Sequence, residues 1–305
     1  MDISKSKGIE TIFPILVMAS FFVIVDGFAL LVTSPFEAAG ADVFENPNDP
    51  MNLVTFFLTL LLSTVIILAI SRLRKRATHG ILLGAVALSF FYFFYFLSTT
   101  IIPDLWSLGV SIAATIILVI TLIKYPEWYV IDISGIIMGA GAIAMFGISL
   151  NISLTIILLI GMAIYDAISV YRTKHMIDLA DTVLKSKVPL MLVIPKTRRY
   201  SLIKETKSLK EKPEDEERNA FFIGLGDIVF PGILFASTIN NLPSNGLPIA
   251  LSVTAGTLLG FIALMRTVVK GKPQAGLPYL SSGAILGYLV SSYLLFGRLV
   301  GLTLS

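Results

Sequence analysis

ISLTIILLIGMAIYDAISVY, residues 152–171, is an apolar run of twenty residues broken by one charge, Asp166. AFFIGLGDIVFPGILFAST, residues 220–238, repeats the pattern, with Asp227 as its single charged residue. At about 1.5 Å per helical residue, each run is close to the length that crosses a ~30 Å hydrocarbon core. Both therefore read as transmembrane helices. An acidic side chain at that depth is costly, so it marks a functional site and calls for a partner. The polar segment between the runs must bring the chain back to the same membrane face. The two carboxylates are thus expected to meet and share a proton.

Composition supports a membrane protein. Of 305 residues, 55% are hydrophobic and 14% charged, where a soluble domain carries about 25% charged residues. Mean hydropathy is +0.86. No cysteine is present, which excludes a disulfide framework, a thiol nucleophile and a thiolate metal site. The two histidines, His79 and His175, both lie beside basic loops. An HExxH zinc protease needs two histidines on one helix face, and a serine–histidine protease needs one at membrane depth. Neither requirement is met. Carboxylates remain as the buried acid–base groups, and no metal, cofactor or nucleic-acid partner is expected.

Hydropathy predicts an all-α polytopic chain of nine spans, at about 9–33, 51–70, 81–102, 105–123, 129–148, 152–171, 220–239, 247–265 and 279–304, with a short turn at Pro103-Asp104. The organisation is six spans over 1–171, a loop over 172–219 and three spans over 220–305. The first run is too long for a signal-peptide core and carries Asp26, so it reads as a retained span. Residues 35–50 are acidic, rich in proline and asparagine, and read as a loop. The aromatic block at 90–96 is expected to pack against lipid and neighbouring helices. Within the 172–219 loop, 188–194 is a candidate strand or interfacial stretch, and 210–218 is strongly charged.

Charge gives the orientation. Of 23 Lys and Arg residues, 22 fall in the N-terminus and the loops after spans two, four, six and eight; the exception is Arg298. The positive-inside rule then puts the N-terminus in the cytoplasm and the C-terminus outside. Asp166 lies about 8–9 Å from the cytoplasmic end of its span, and Asp227 about 10 Å from the start of its own. The two depths match. Two neighbouring carboxylates titrate as a coupled pair, one neutral and one charged over a range of pH. That is the working state of an aspartic protease dyad. Buried aspartates also line ion pathways, so an ion channel or proton-coupled transporter is the competing reading. It would predict an internal repeat, and none is visible.

Three other intramembrane charges stand apart. Asp132 sits near a helix N-terminus, where the dipole favours it, and reads as structural. Asp26 and Arg298 lie toward the same membrane side and are candidates for an ion pair.

Tyr165-Asp166 in span six, Gly224-Leu225-Gly226-Asp227 in span seven, and the proline-containing turn Ala275-Gly276-Leu277-Pro278 before span nine form a pattern. It resembles the presenilin and signal-peptide-peptidase family of intramembrane aspartyl proteases, and the resemblance covers nearly the whole chain. Leu277 and Pro278 match the family's Pro-Ala-Leu-Pro turn, while Ala275 and Gly276 depart from it. The resemblance implies that Asp166 and Asp227 are catalytic, and that the other residues of the three motifs shape the site or bind substrate. It also implies that the substrates are transmembrane helices. The predicted orientation is that of presenilins, whose expected substrates are type I spans. The short N-terminus and compact loop look like a prokaryotic, archaeal-type homologue in a cell membrane. Such a chain is expected to work without accessory subunits, and a homo-oligomer is left open.

Overall fold

The computed structural model describes residues 3–73, 75–173, 188–196, 200–203, 220–242, 246–268 and 274–302. His175 and the charged stretch 210–218 lie outside these residues.

Nine helices and one two-stranded ribbon are formed by the described residues. The helices are α1 (Ile3–Ala38), α2 (Met51–Leu73), α3 (Lys75–Thr99), α4 (Asp104–Lys124), α5 (Trp128–Ser149), α6 (Ile152–Ile168), α7 (Leu225–Asn241), α8 (Gly246–Val268) and α9 (Gly276–Phe296). Seven have the length and apolarity to cross a membrane. The other two are α2, whose stretch of described apolar residues is Met51–Ile67, and α7, with 17 residues. At 1.5 Å per residue, α7 spans about 26 Å, short of a ~30 Å core. Its shortness has a local cause. Residues expected to begin this span form strand β2 (Ala220–Gly224) instead, pairing antiparallel with β1 (Met191–Pro195). The candidate strand at 188–194 is therefore a real one, shifted by a few residues.

The ribbon is fastened to α5. Asp132, buried in that helix, accepts the Val193 N–H of β1 at 2.7 Å. Its role is structural, as its place near a helix start suggested. Leu192 packs so closely on Gly135 that a Cβ there would lie 2.6 Å from its Cδ2. Helix α5 is the most enclosed of the spans and touches α1, α3, α7 and β1. In lipid, where apolar surface alone does not drive helices together, small residues permit this close packing. A Cβ on Gly147 would lie 2.4 Å from Ala236 of α7.

The tightest helix pair is α8 with α9. A Cβ on Gly256 would stand 2.1 Å from the Gly283 carbonyl, and one on Gly283 would stand 2.2 Å from the Gly256 carbonyl. Backbone touches backbone there. The aromatic block in α3 behaves as expected, with Phe90 and Phe93 buried and Tyr92 exposed. The loop after α1 is held by Asn151, whose backbone N–H donates to Pro47 O at 3.0 Å and whose side chain donates to Asn48 Oδ1 at 2.8 Å. The same side chain caps α6 by accepting the Leu154 N–H.

Several boundaries and one pairing differ from expectation: α1 runs on to Ala38, so the loop expected over 35–50 begins only after it, and α3 begins at Lys75 and not near 81. Helix α9 starts at Gly276, so the proline-containing turn is the first turn of the helix. It ends at Phe296, where Gly297 takes a left-handed φ of +66°, so exposed Arg298 lies beyond the helix. Asp26 does not pair with Arg298. Its Oδ2 accepts the Thr254 hydroxyl of α8 at 2.6 Å, which satisfies a buried acid with a neutral donor.

Candidate active site

Asp166 is the third residue from the end of α6, just before a π-helical turn at Ser169–Thr173. Its side chain is half-buried. Asp227 is the third residue of α7, also half-buried, in a helix that follows β2 with Gly224 as N-cap. The sequence had placed Asp227 seven residues into a helix. Five of those residues are extended strand, so Asp227 lies in the first helical turn. Pro231 lies inside α7. With no N–H to offer, it leaves the Asp227 carbonyl, four residues back, without its helical donor.

The start of α9 joins the two acids. A helix opens with backbone N–H groups that have no partner within the helix. One of these, on Leu277, donates to Asp166 Oδ2 at 3.0 Å, and the Gly276 backbone also hydrogen-bonds to Asp166. Pro278, the third residue of α9, brings no such donor, as suits a first turn. Gly276 lies against the other acid. A Cβ there would be 3.1 Å from both Oδ1 and Oδ2 of Asp227. Gly276 and Leu277 thus both bond Asp166, and Gly276 also lies against Asp227. Gly224 flanks Asp227 from the other side, its Cβ position 3.4 Å from Oδ2.

Beside Asp227 lies a cavity of about 470 Å³. Tyr165, Gly224, Asp227 and Gly276 line it, together with β2 residues Phe222 and Ile223. Its walls are largely apolar, with Met18, Met191, Phe261 and Met265 among them; Ser169 and Gln274 add polar groups. Of the other motif residues, Gly226 is exposed, with only the Phe230 ring near its Cβ position, at 3.6 Å. Leu225 and Leu277 are buried, and Ala275 is the N-cap of α9. The structure therefore gathers the three motifs around one cleft. Sequence reading missed Met18, Phe222 and Gln274. Only Gln274 carried a signal, by directly preceding the proline-containing turn.

No group of three or more His, Cys, Asp or Glu residues able to hold a metal occurs among the described residues. Chemically the site offers two carboxyls, Asp166 held by backbone donors and Asp227 set against bare glycine on the wall of an apolar cleft. This suits acid–base work on a polar bond inside a membrane.

Residues 19–298 match the family described as signal-peptide peptidase, presenilin aspartyl protease. Two solved structures of a presenilin family intramembrane aspartate protease, an archaeal enzyme, resemble the chain. The one in space group C222 is 32% identical, covers 92% of this chain and 99% of its own, and superposes with a TM-score of 0.70. The one in P2 is 33% identical, covers 92% and 98%, and gives 0.67. No curated protein matches the chain. With a family match over most of its length and these likenesses at more than 30% identity, the chain belongs to the signal-peptide peptidase and presenilin family of aspartyl proteases.

Proposed function

We propose that Asp166 and Asp227 are the catalytic dyad of an endopeptidase that cuts transmembrane helices within the bilayer. One aspartate, ionised, takes a proton from water as the water oxygen attacks the peptide carbonyl. The other, neutral, donates to the carbonyl oxygen and steadies the tetrahedral intermediate. Collapse of that intermediate returns a proton to the leaving nitrogen and breaks the C–N bond. The observation that carries this reading is the first turn of α9, where Gly276 and Leu277 bond Asp166 and Gly276 also lies against Asp227, which lines an apolar cleft.

The same proposal has nine spans, with α2 and α7 crossing alongside the other seven helices. The N-terminus is cytoplasmic and the C-terminus external, an orientation supported by the one-sided distribution of Lys and Arg. Type I spans are the substrates, the membrane is that of a prokaryotic cell, and no accessory subunit is needed. In the test, purified protein alone receives a type I transmembrane substrate in bilayers, and product masses are read. Cuts inside the span, blocked by a peptide bearing a hydroxyl-based mimic of the tetrahedral intermediate, are the expected result. Cuts confined to flanking segments, or no cutting without a partner protein, would refute the corresponding part.

A further inference from the structure

Two hydrogen bonds join the end of α6 to the segment that opens α9. One is the Leu277 N–H to Asp166 Oδ2, at 3.0 Å. The other runs from the Tyr171 hydroxyl to Gln274 Oε1, at 2.8 Å. Regular α-helical geometry would not provide both. At 3.6 residues per turn, residues five apart such as Asp166 and Tyr171 stand about 140° apart around the axis. The chain instead enters a π turn over Ser169–Thr173. A π turn closes over five residues, so residues at that spacing return toward one side, and such turns often sit at functional sites. Tyr171 lies inside this turn, and from there its hydroxyl reaches Gln274.

Gln274 directly precedes Ala275, the N-cap of α9, and lines the cavity beside Asp227. We propose that Tyr171 is a positioning residue whose hydroxyl holds Gln274. The first turn of α9 is thereby fixed, with Leu277 kept on Asp166 and Gly276 kept against Asp227. The inference rests on the reading of these acids as the catalytic pair. Because the bond is exposed, it contributes little to stability. Catalytic geometry is far less forgiving, since a misplacement near 1 Å can cost on the order of a hundredfold in rate.

The test compares wild type, Tyr171→Phe, Gln274→Leu, the double variant and Asp166→Asn on one transmembrane substrate. Tyr171→Phe removes a single oxygen from an exposed ring, and Gln274→Leu serves independently if that variant fails to fold. Each single change should lower kcat about five- to tenfold with KM nearly unchanged and Tm within about 2 °C of wild type. The double variant should be no slower than the slower single, because both changes delete one bond. Wild-type kcat in Tyr171→Phe, losses that multiply in the double variant, or losses that track Tm would overturn the proposal. The Asp166→Asn arm separates the layers. If it stays active, the dyad reading beneath the proposal falls. If it is dead while Tyr171→Phe is unimpaired, the positioning role alone falls.

Discussion

At Gly276 the room for a side chain is set by the Asp227 carboxyl. A methyl group would sit 3.1 Å from both of its oxygens, so the carboxyl must yield by a few tenths of an ångström. Gly276→Ala, which restores the alanine of the family's triplet, should therefore cost only about two- to fivefold in kcat. Gly276→Val brings two further carbons to the same place and should abolish cleavage while the protein remains folded; an active valine variant would place Gly276 away from the chemistry. Gly226 makes a useful contrast. It is exposed, with nothing of its own chain tight against it, so a methyl there would meet only what enters the cleft. Gly226→Ala should leave Tm unchanged and lower kcat/KM about tenfold, mostly through KM. Equal losses of Tm and activity would speak for plain packing. Both aspartates were legible in the sequence because a lone charge in an apolar run has few bland explanations. The donor to Asp166 was not, because a backbone N–H carries no residue signature.

Among the elements, the ribbon and the paired helices set where the acids stand. Asp132 anchors β1 through the Val193 N–H. Asp132→Ala leaves that buried donor unpaired and should cost about 1–3 kcal/mol, read as a lower unfolding midpoint. Activity should fall in parallel, since β2 runs directly into the helix of Asp227. Unchanged stability would mean that the ribbon is held by packing alone. Thr254→Val takes the hydroxyl from Asp26 and should cost a similar amount, whereas Arg298→Ala should stay within about 0.5 kcal/mol of wild type. The mistaken pairing of Asp26 with Arg298 shows where pattern reading stops. Complementary charge suggested an ion pair, but a threonine hydroxyl one helix away is invisible to any charge count. Strand β2 was read as helix for a related reason. AFFIG is apolar throughout, so it has no period to distinguish strand from helix, and only its partner at 191–195 decides.

The molecule as a whole holds α9, and with it the Gly276–Leu277 junction, through backbone contact with α8. Gly283→Ala would put a methyl 2.2 Å from the Gly256 carbonyl, which has no flexible end to give. It should cost about 1–3 kcal/mol or more and reduce cleavage even though the change is remote from the acids. Topology can be tested directly, because the chain has no cysteine. In intact cells, a membrane-impermeant thiol reagent should label Glu45→Cys but not Lys124→Cys; the reverse would invert the orientation. The all-helical, multi-span class was readable from hydropathy, which acts over long segments. Helix contacts were not, because they depend on single glycines meeting across the bundle. The most direct test of the account is cleavage of one type I transmembrane substrate by purified wild type, Asp166→Asn and Asp227→Asn. Asparagine keeps the size of the side chain and removes the titrating proton. The account predicts that wild type cuts within the span and that both variants are folded and inactive. Cleavage by either variant at a rate near wild type would contradict it.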